Sequence, residues 1–307
     1  MKRVDFVRSQ FSIPVPGDFH FLRTVLSHGW YALPPFSFNK DTRTLHRILD
    51  LGKETIADCA LHGRDHTIDV DVKSKETLTP GERNEIRTQL RTSLRLNEDF
   101  ADFYLESRKH LEFRWIPRSG AGRMLRAPTA FEDVVKMICT TNCTWALTTL
   151  MVTNLVEMFG NRLSDTLGTF PTPEAIAGSS ERVLRKEIKA GYRSPYLLEL
   201  SGKVASKKLD LEAWRSSPLS TEELFEHMRT VKGIGPYAAG NIMKLVGRYD
   251  YLGLDSWVRS RYYVLHHKGR AVKDSTIERF YAPYGKWRGL FFWLEMTRHW
   301  HDEKFFL

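Results

Sequence analysis

The chain has 307 residues, 42% hydrophobic and 27% charged, which is ordinary for a soluble globular protein and long enough for two packed domains. Lys and Arg number 46 against 37 acidic residues, and the net charge of +9 favours a polyanionic partner, whose neutralised phosphates release counterions. Three scattered cysteines (Cys59, Cys139, Cys143) exclude a disulfide framework, no run reaches the ~20 apolar residues of a membrane helix, and Met1 to Phe11 lacks the apolar core of a signal peptide.

The first 75 residues read mostly as sheet. Arg43 to Asp50, Glu54 to His62 and His66 to Lys73 are short β-rich runs, and Ile68, Val70 and Val72 alternate with polar residues. Gly52-Lys53 and Gly63-Arg64-Asp65 supply turns between them. From Thr79 the chain turns helical. Thr79-Pro80 is an N-cap followed by Pro at the first helical position, and Ile86, Leu90 and Leu94 recur every four residues. Gly/Arg-rich Arg118 to Arg126 reads as a linker or loop.

Pro128-Thr129 opens an apolar helix through Val134, Val135 and Ile138, and another runs from about Trp145 to Phe159. Ser220 to Glu223 and Ser275 to Glu278 have capping-box spacing. Cys139 and Cys143, four apart with no third thiolate or nearby His, read as helix residues and not metal ligands. His299-Trp-His301-Asp-Glu303 reads as an exposed polar helix end. The expected class is α+β, a small N-terminal antiparallel sheet layer packed on a larger all-helical body. Its boundary is placed at an α+β domain over 1–120 and a helical domain over 121–307.

Between two helical patterns lies Val231-Lys-Gly-Ile-Gly-Pro-Tyr-Ala-Ala239. Gly233 and Gly235 allow a tight hairpin that exposes consecutive N–H groups, and Pro236 starts the next helix. Such amides at a helix N-terminus suit a phosphate oxygen. Asp255 follows the apolar run Tyr251 to Leu254 and precedes Trp257, Val258, Tyr262 and Leu265 at helical spacing. Asp is a preferred N-cap, and a capping carboxylate can also project into a cleft.

Gly-Ile-Gly-Pro-Tyr-Ala-Ala, with eighteen residues from Tyr237 to Asp255 and then Ser-Trp-Val-Arg, resembles the hairpin-plus-aspartate signature of the helix-hairpin-helix (HhH-GPD) DNA glycosylases. Leu125 to Asn142 is similar to the helix and wedge loop of the 8-oxoguanine and alkylpurine enzymes within that superfamily. Gly191-Tyr192-Arg193 resembles a segment of the 8-oxoguanine enzymes. The resemblance implies that double-stranded DNA carrying a damaged base is the partner, and that Asp255 is the essential carboxylate. It further implies that Lys232, Gly233, Ile234 and Gly235 hold the DNA backbone. Asn142, Tyr192 and Arg193 would fill the gap left by the flipped nucleotide and read the opposite base.

The chemistry needs such groups. A stacked base must be extruded at a cost of a few kcal/mol before it is attacked. A fixed carboxylate then stabilises the positive charge that develops on the sugar and orients water. A flipped base needs aromatic faces, for which Trp30, Tyr237, Trp257 and Trp293 are the candidates.

Two departures from the pattern matter. The bifunctional 8-oxoguanine enzymes carry a Lys nucleophile two residues after the second hairpin Gly, where this chain has Tyr237. Three scattered cysteines cannot supply a four-cysteine iron–sulfur loop. The expectation is therefore a monofunctional glycosylase without AP-lyase activity, acting on an alkylated purine in base excision repair. Oxidised guanine is the runner-up lesion, and a non-catalytic lesion-binding protein is the alternative from a different class. No cofactor is expected beyond a Na+ or K+ on the hairpin carbonyls of Arg229, Val231 and Ile234. The protein is expected to be a monomer with no membrane association, in the cytoplasm and nucleoid of a bacterium or the nucleus of a eukaryote.

Overall fold

A computed structural model describes residues 6–302 of the chain. The first five residues of Met1 to Phe11, Glu303 and the side chain of Asp302 lie outside the described residues. Two compact units emerge, one of Met1–Glu98 with Arg123–Leu211, the other of Asp99–Gly122 with Glu212–Leu307. Both are built from two chain segments, whereas the sequence suggests a single boundary near residue 120. The physical reason lies in the packing of each segment.

In the first unit, β1 (Val7–Pro14), β2 (Phe36–Asn39), β3 (Thr44–Asp50), β4 (Ile56–Gly63) and β5 (Thr67–Ser74) form one antiparallel sheet in the order β1-β5-β4-β3-β2. Ile68, Val70 and Val72 of β5 are buried on the same face, as strict alternation dictates. The three expected strands are present within two residues of the expected bounds. The edge strands β1 and β2 are not evident in the sequence, because β1 is half-exposed and polar and β2 is only four residues long.

The helix Ala130–Thr140, capped by Thr129, is buried along most of its length. It joins this unit through ionic contacts that an apolar pattern does not reveal. Arg47 of β3 makes a forked pair with Glu132 at 2.7 and 2.6 Å, and the Lys136 ammonium donates to the same carboxylate at 2.7 Å. Glu132 is held below the usual carboxylate range because these cations outweigh its desolvation. The chain beyond residue 122 is thereby tied to the N-terminal sheet.

The second unit is helical and packs around an aromatic core that includes Phe100, Phe103, Phe113, Tyr262, Tyr281 and Phe291. Residues 99–122 belong here because their Phe side chains fill this core. Asp99–Gly122 and the C-terminal helices therefore fold as one body. The loop expected over Arg118 to Arg126 is irregular past Gly120 but buried, and the Arg95 guanidinium donates to the Met124 carbonyl at 2.7 Å. The helix start at Ser220 carries the expected capping box, and Thr79 caps its helix as expected, with a capping box that Glu82 completes. Ser275 does not cap: the helix begins at Asp274, which is recruited into a forked pair with Arg259 at 2.7 Å. His301, expected on an exposed end, is buried with its ring 5.2 Å from that of Trp115.

Candidate active site

The hairpin forms as its glycines require. The helix Thr221–Arg229 ends, Gly233 takes a φ of +90° that favours glycine, and Gly235 caps the helix Pro236–Leu245. Val231 and Ile234 are buried and anchor the turn, and the Ile234 N–H donates to the Val231 carbonyl at 3.0 Å. Lys232 and Gly235 face outward. A Cβ on Gly235 would meet nothing within 4 Å, so the backbone there is open to a ligand.

Close helix packing places the carboxylate. A Cβ on Gly240 would stand 2.7 Å from the Tyr251 ring and 2.9 Å from the Cα of Gly253, so only glycine lets the loop before Asp255 lie on the hairpin's second helix. Asp255 then caps the helix Ser256–His267, accepting the Val258 N–H at 2.9 Å on Oδ1. It is half-buried, and capping accounts for one oxygen.

Three indoles cluster, the first of them two residues after Asp255. Trp257 stacks on Trp300 with centroids 5.6 Å apart and lies 6.3 Å from Trp293, which is 5.8 Å from Trp300. Trp257 is 42% exposed, so one face of the cluster is available. The Trp293 indole N–H is buried with no acceptor. Tyr237 is half-buried on the first turn of the hairpin's second helix.

Lys244 is a buried charge at this site that the sequence does not single out. It lies on the same helix, 2% exposed, with its ammonium 5.3 Å from the centroid of the Trp293 ring. Burial pushes its pKa down to about 8, against the upward pull of the Asp255 carboxylate. The available signal was a charge inside the apolar run Ile242-Met-Lys-Leu-Val246.

In the first unit, the wedge candidates meet one another. Asn142 follows the helix Ala130–Thr140 with a left-handed φ of +45°, is exposed, and donates to the Tyr192 hydroxyl at 3.4 Å. Tyr192 is also exposed, and its hydroxyl donates to the Thr141 carbonyl at 3.2 Å. Arg193 differs from expectation. It is 3% exposed, donates from Nε to Thr141 Oγ1 at 3.2 Å and from a terminal nitrogen to the Thr141 carbonyl, and lies against the Tyr192 ring. Its fork is spent on the protein, and it braces Tyr192 where the sequence suggested an edge free to read a base. Trp30 is likewise a core residue, 3% exposed, whose indole donates to Asp133 at 2.8 Å. Its burial contradicts a place in an open base pocket.

No helix among the described residues is long and apolar enough to cross a membrane. Among the described residues no group of three or more His, Cys, Asp or Glu is arranged to hold a metal ion.

Comparison with known proteins gives a consistent result. Residues 135–288 match the family described as "HhH-GPD superfamily base excision DNA repair protein". An N-glycosylase/DNA lyase of Saccharomyces cerevisiae is 25% identical over 179 residues, 52% of this chain and 46% of that protein, so the match spans about half of the relative's length. A 3-methyladenine DNA-glycosylase from Archaeoglobus fulgidus is similar in fold, with a TM-score of 0.73 at 18% identity over 95% of this chain and 99% of that one. The apo-form of a Clostridium acetobutylicum 8-oxoguanine glycosylase/lyase gives 0.72 at 18% identity, covering 95% of this chain and 97% of that one.

Proposed function

Because the chain belongs to the HhH-GPD superfamily of base excision DNA repair proteins, we propose that it is a DNA N-glycosylase with Asp255 as its essential carboxylate. The observation that carries this reading is the position of Asp255. The residue is fixed by capping at the end of a loop that packs on the hairpin's helix, beside a part-exposed indole cluster. A protein that only binds DNA has no use for a carboxylate placed between a phosphate-binding turn and an aromatic surface.

The groups divide the work. The exposed backbone at Gly235, with Gly233 and Lys232, holds a backbone phosphate of duplex DNA, while the buried Ile234 anchors the turn beneath it. Asn142 and Tyr192 enter the gap left by the extruded base. Trp257 and Trp293 offer faces for that base to stack on. As the C1′–N bond breaks, its electron pair leaves with the base, and positive charge grows on the sugar next to Asp255. Water adds at C1′ and gives its proton to Asp255, leaving an abasic site.

Tyr237 cannot form an imine with C1′, so the strand is left uncut by the hairpin residue at that position. The Arg229 carbonyl lies at a helix C-terminus and the Val231 carbonyl already accepts the Ile234 N–H. With the Ile234 carbonyl they suit a monovalent cation, which would add positive charge beside the phosphate. Two lesion classes suit an indole pocket. A cationic alkylated purine is supported by the three tryptophans, and an oxidised guanine by the ammonium of Lys244.

The deciding experiment is Asp255→Asn. Asn caps a helix as well as Asp does, so the fold is retained while the charge is lost. Base release in single turnover should fall by ~10²–10³ or more, with DNA affinity within a few-fold. Retention of over a tenth of the wild-type rate would reduce Asp255 to a cap.

A further inference from the structure

We infer that Lys244 is a specificity-determining residue whose fixed charge makes the pocket a receptor for an uncharged damaged base that departs as an anion, and not for a cationic alkylpurine. The inference rests on the reading of Asp255 as the glycosylase carboxylate and names the substrate class of that site.

Three observations converge. The Lys244 ammonium is packed over Gly253, where a Cβ would stand 2.7 Å from Nζ, so the loop that carries Asp255 fixes its position. It lies 5.3 Å from the centroid of Trp293, within cation–π range. The Trp293 indole N–H is buried with no acceptor. A buried N–H without a partner is costly and suits a ligand that brings an acceptor. With its pKa near 8, the ammonium is mostly protonated at neutral pH.

The electron count sets which base benefits. When the C1′–N bond of an uncharged base breaks, the departing pair makes that base an anion, which later takes one proton from solvent. A nearby ammonium lowers the energy of that anion and is of no use to the uncharged ground state, so it accelerates the step. A cationic alkylpurine departs neutral. It enters with a positive charge beside a second positive charge in a partly dry site, where repulsion is weakly screened. The indole N–H likewise favours a base with a carbonyl oxygen.

The test uses the full chain and duplexes carrying one lesion each, 8-oxoguanine as the uncharged probe and 7-methylguanine as the cationic one. Wild-type protein should release 8-oxoguanine faster. Lys244→Met should lose 100-fold or more on 8-oxoguanine while its rate on 7-methylguanine holds or rises, and Lys244→Arg should recover part of the first loss. Thermal melts of both variants show that they are folded, and Lys244→Gln replaces Met if that variant is not.

Equal losses on both lesions would overturn the inference, because a structural role predicts them. Faster wild-type release of 7-methylguanine would do the same. So would a borohydride-trapped adduct that vanishes in Lys244→Met, which would make the amine a nucleophile. Asp255→Asn is run alongside. If it stays active, or if wild-type protein releases neither base, the glycosylase reading itself fails. An inactive Asp255→Asn with an unchanged Lys244→Met sinks only the present inference.

Discussion

The Lys244 ammonium stands 2.7 Å from the place a Cβ on Gly253 would occupy, two residues before Asp255. Gly253 also holds a left-handed φ of +65°. Gly253→Ala therefore meets both a steric and a backbone penalty, about 1–3 kcal/mol for the backbone alone. The expected result is a lower melting temperature, with a tenfold or greater fall in single-turnover base release as the Asp255 loop lifts. Unchanged release by a variant that melts lower would show that the loop tolerates displacement.

Gly235 has open space around it, so the cost of a side chain there is functional and not structural. Gly235→Asp puts a negative charge where a phosphate is proposed to sit. Binding to damaged and undamaged duplex should weaken alike, since phosphate contacts carry no sequence information. Titrations with both duplexes check this, and a loss confined to damaged DNA would move the phosphate site elsewhere.

Arg193 is buried and committed to Thr141. Arg193→Ala should cost about 1.5–3 kcal/mol of stability, the range for a hydrogen bond from a charged group. It should also slow base release by loosening Tyr192, while the ranking of opposite bases stays as in wild type. A flattened ranking at unchanged stability would return Arg193 to a base-reading role.

Much of this was legible in the sequence, for identifiable reasons. Gly233, Gly235 and Pro236 declare the hairpin because each does something no other residue does as well. Ile68, Val70 and Val72 declare their strand by alternation, and Thr79 with Pro80 declares a helix start. What stayed hidden depends on tertiary partners. Ser275 has the spacing of a cap, but Arg259, distant in sequence, draws Asp274 into the first turn. Trp30 looks like any pocket indole until Asp133 takes its N–H, and a lysine in an apolar run looks like surface until Gly253 and Trp293 enclose it.

Lys244 also carries a stability signature that separates function from packing. Its pKa is near 8 in the folded chain against an ordinary 10.5, chiefly through burial, with Asp255 opposing. The folded state thus binds this proton less tightly than the unfolded state. Below about pH 8 both states are protonated, and the native fold bears the whole cost of burying the ammonium. Between about 8 and 10.5 the unfolded chain holds more protons, so this residue's contribution to stability rises with pH. Lys244→Met removes the cost. At pH 7 the variant should be more stable than wild type by on the order of 3 kcal/mol at most, since each tenfold loss of proton affinity on folding costs about 1.4 kcal/mol. The advantage should shrink toward pH 10, where wild type has shed the proton. Urea unfolding of both proteins at pH 7 and pH 10 checks this, and the difference between them cancels the titration of other groups. A lysine kept for packing predicts the reverse, a variant less stable at pH 7 by the packing it loses. A gain in stability joined to a loss of activity on an uncharged lesion is the pattern of a residue retained for its charge.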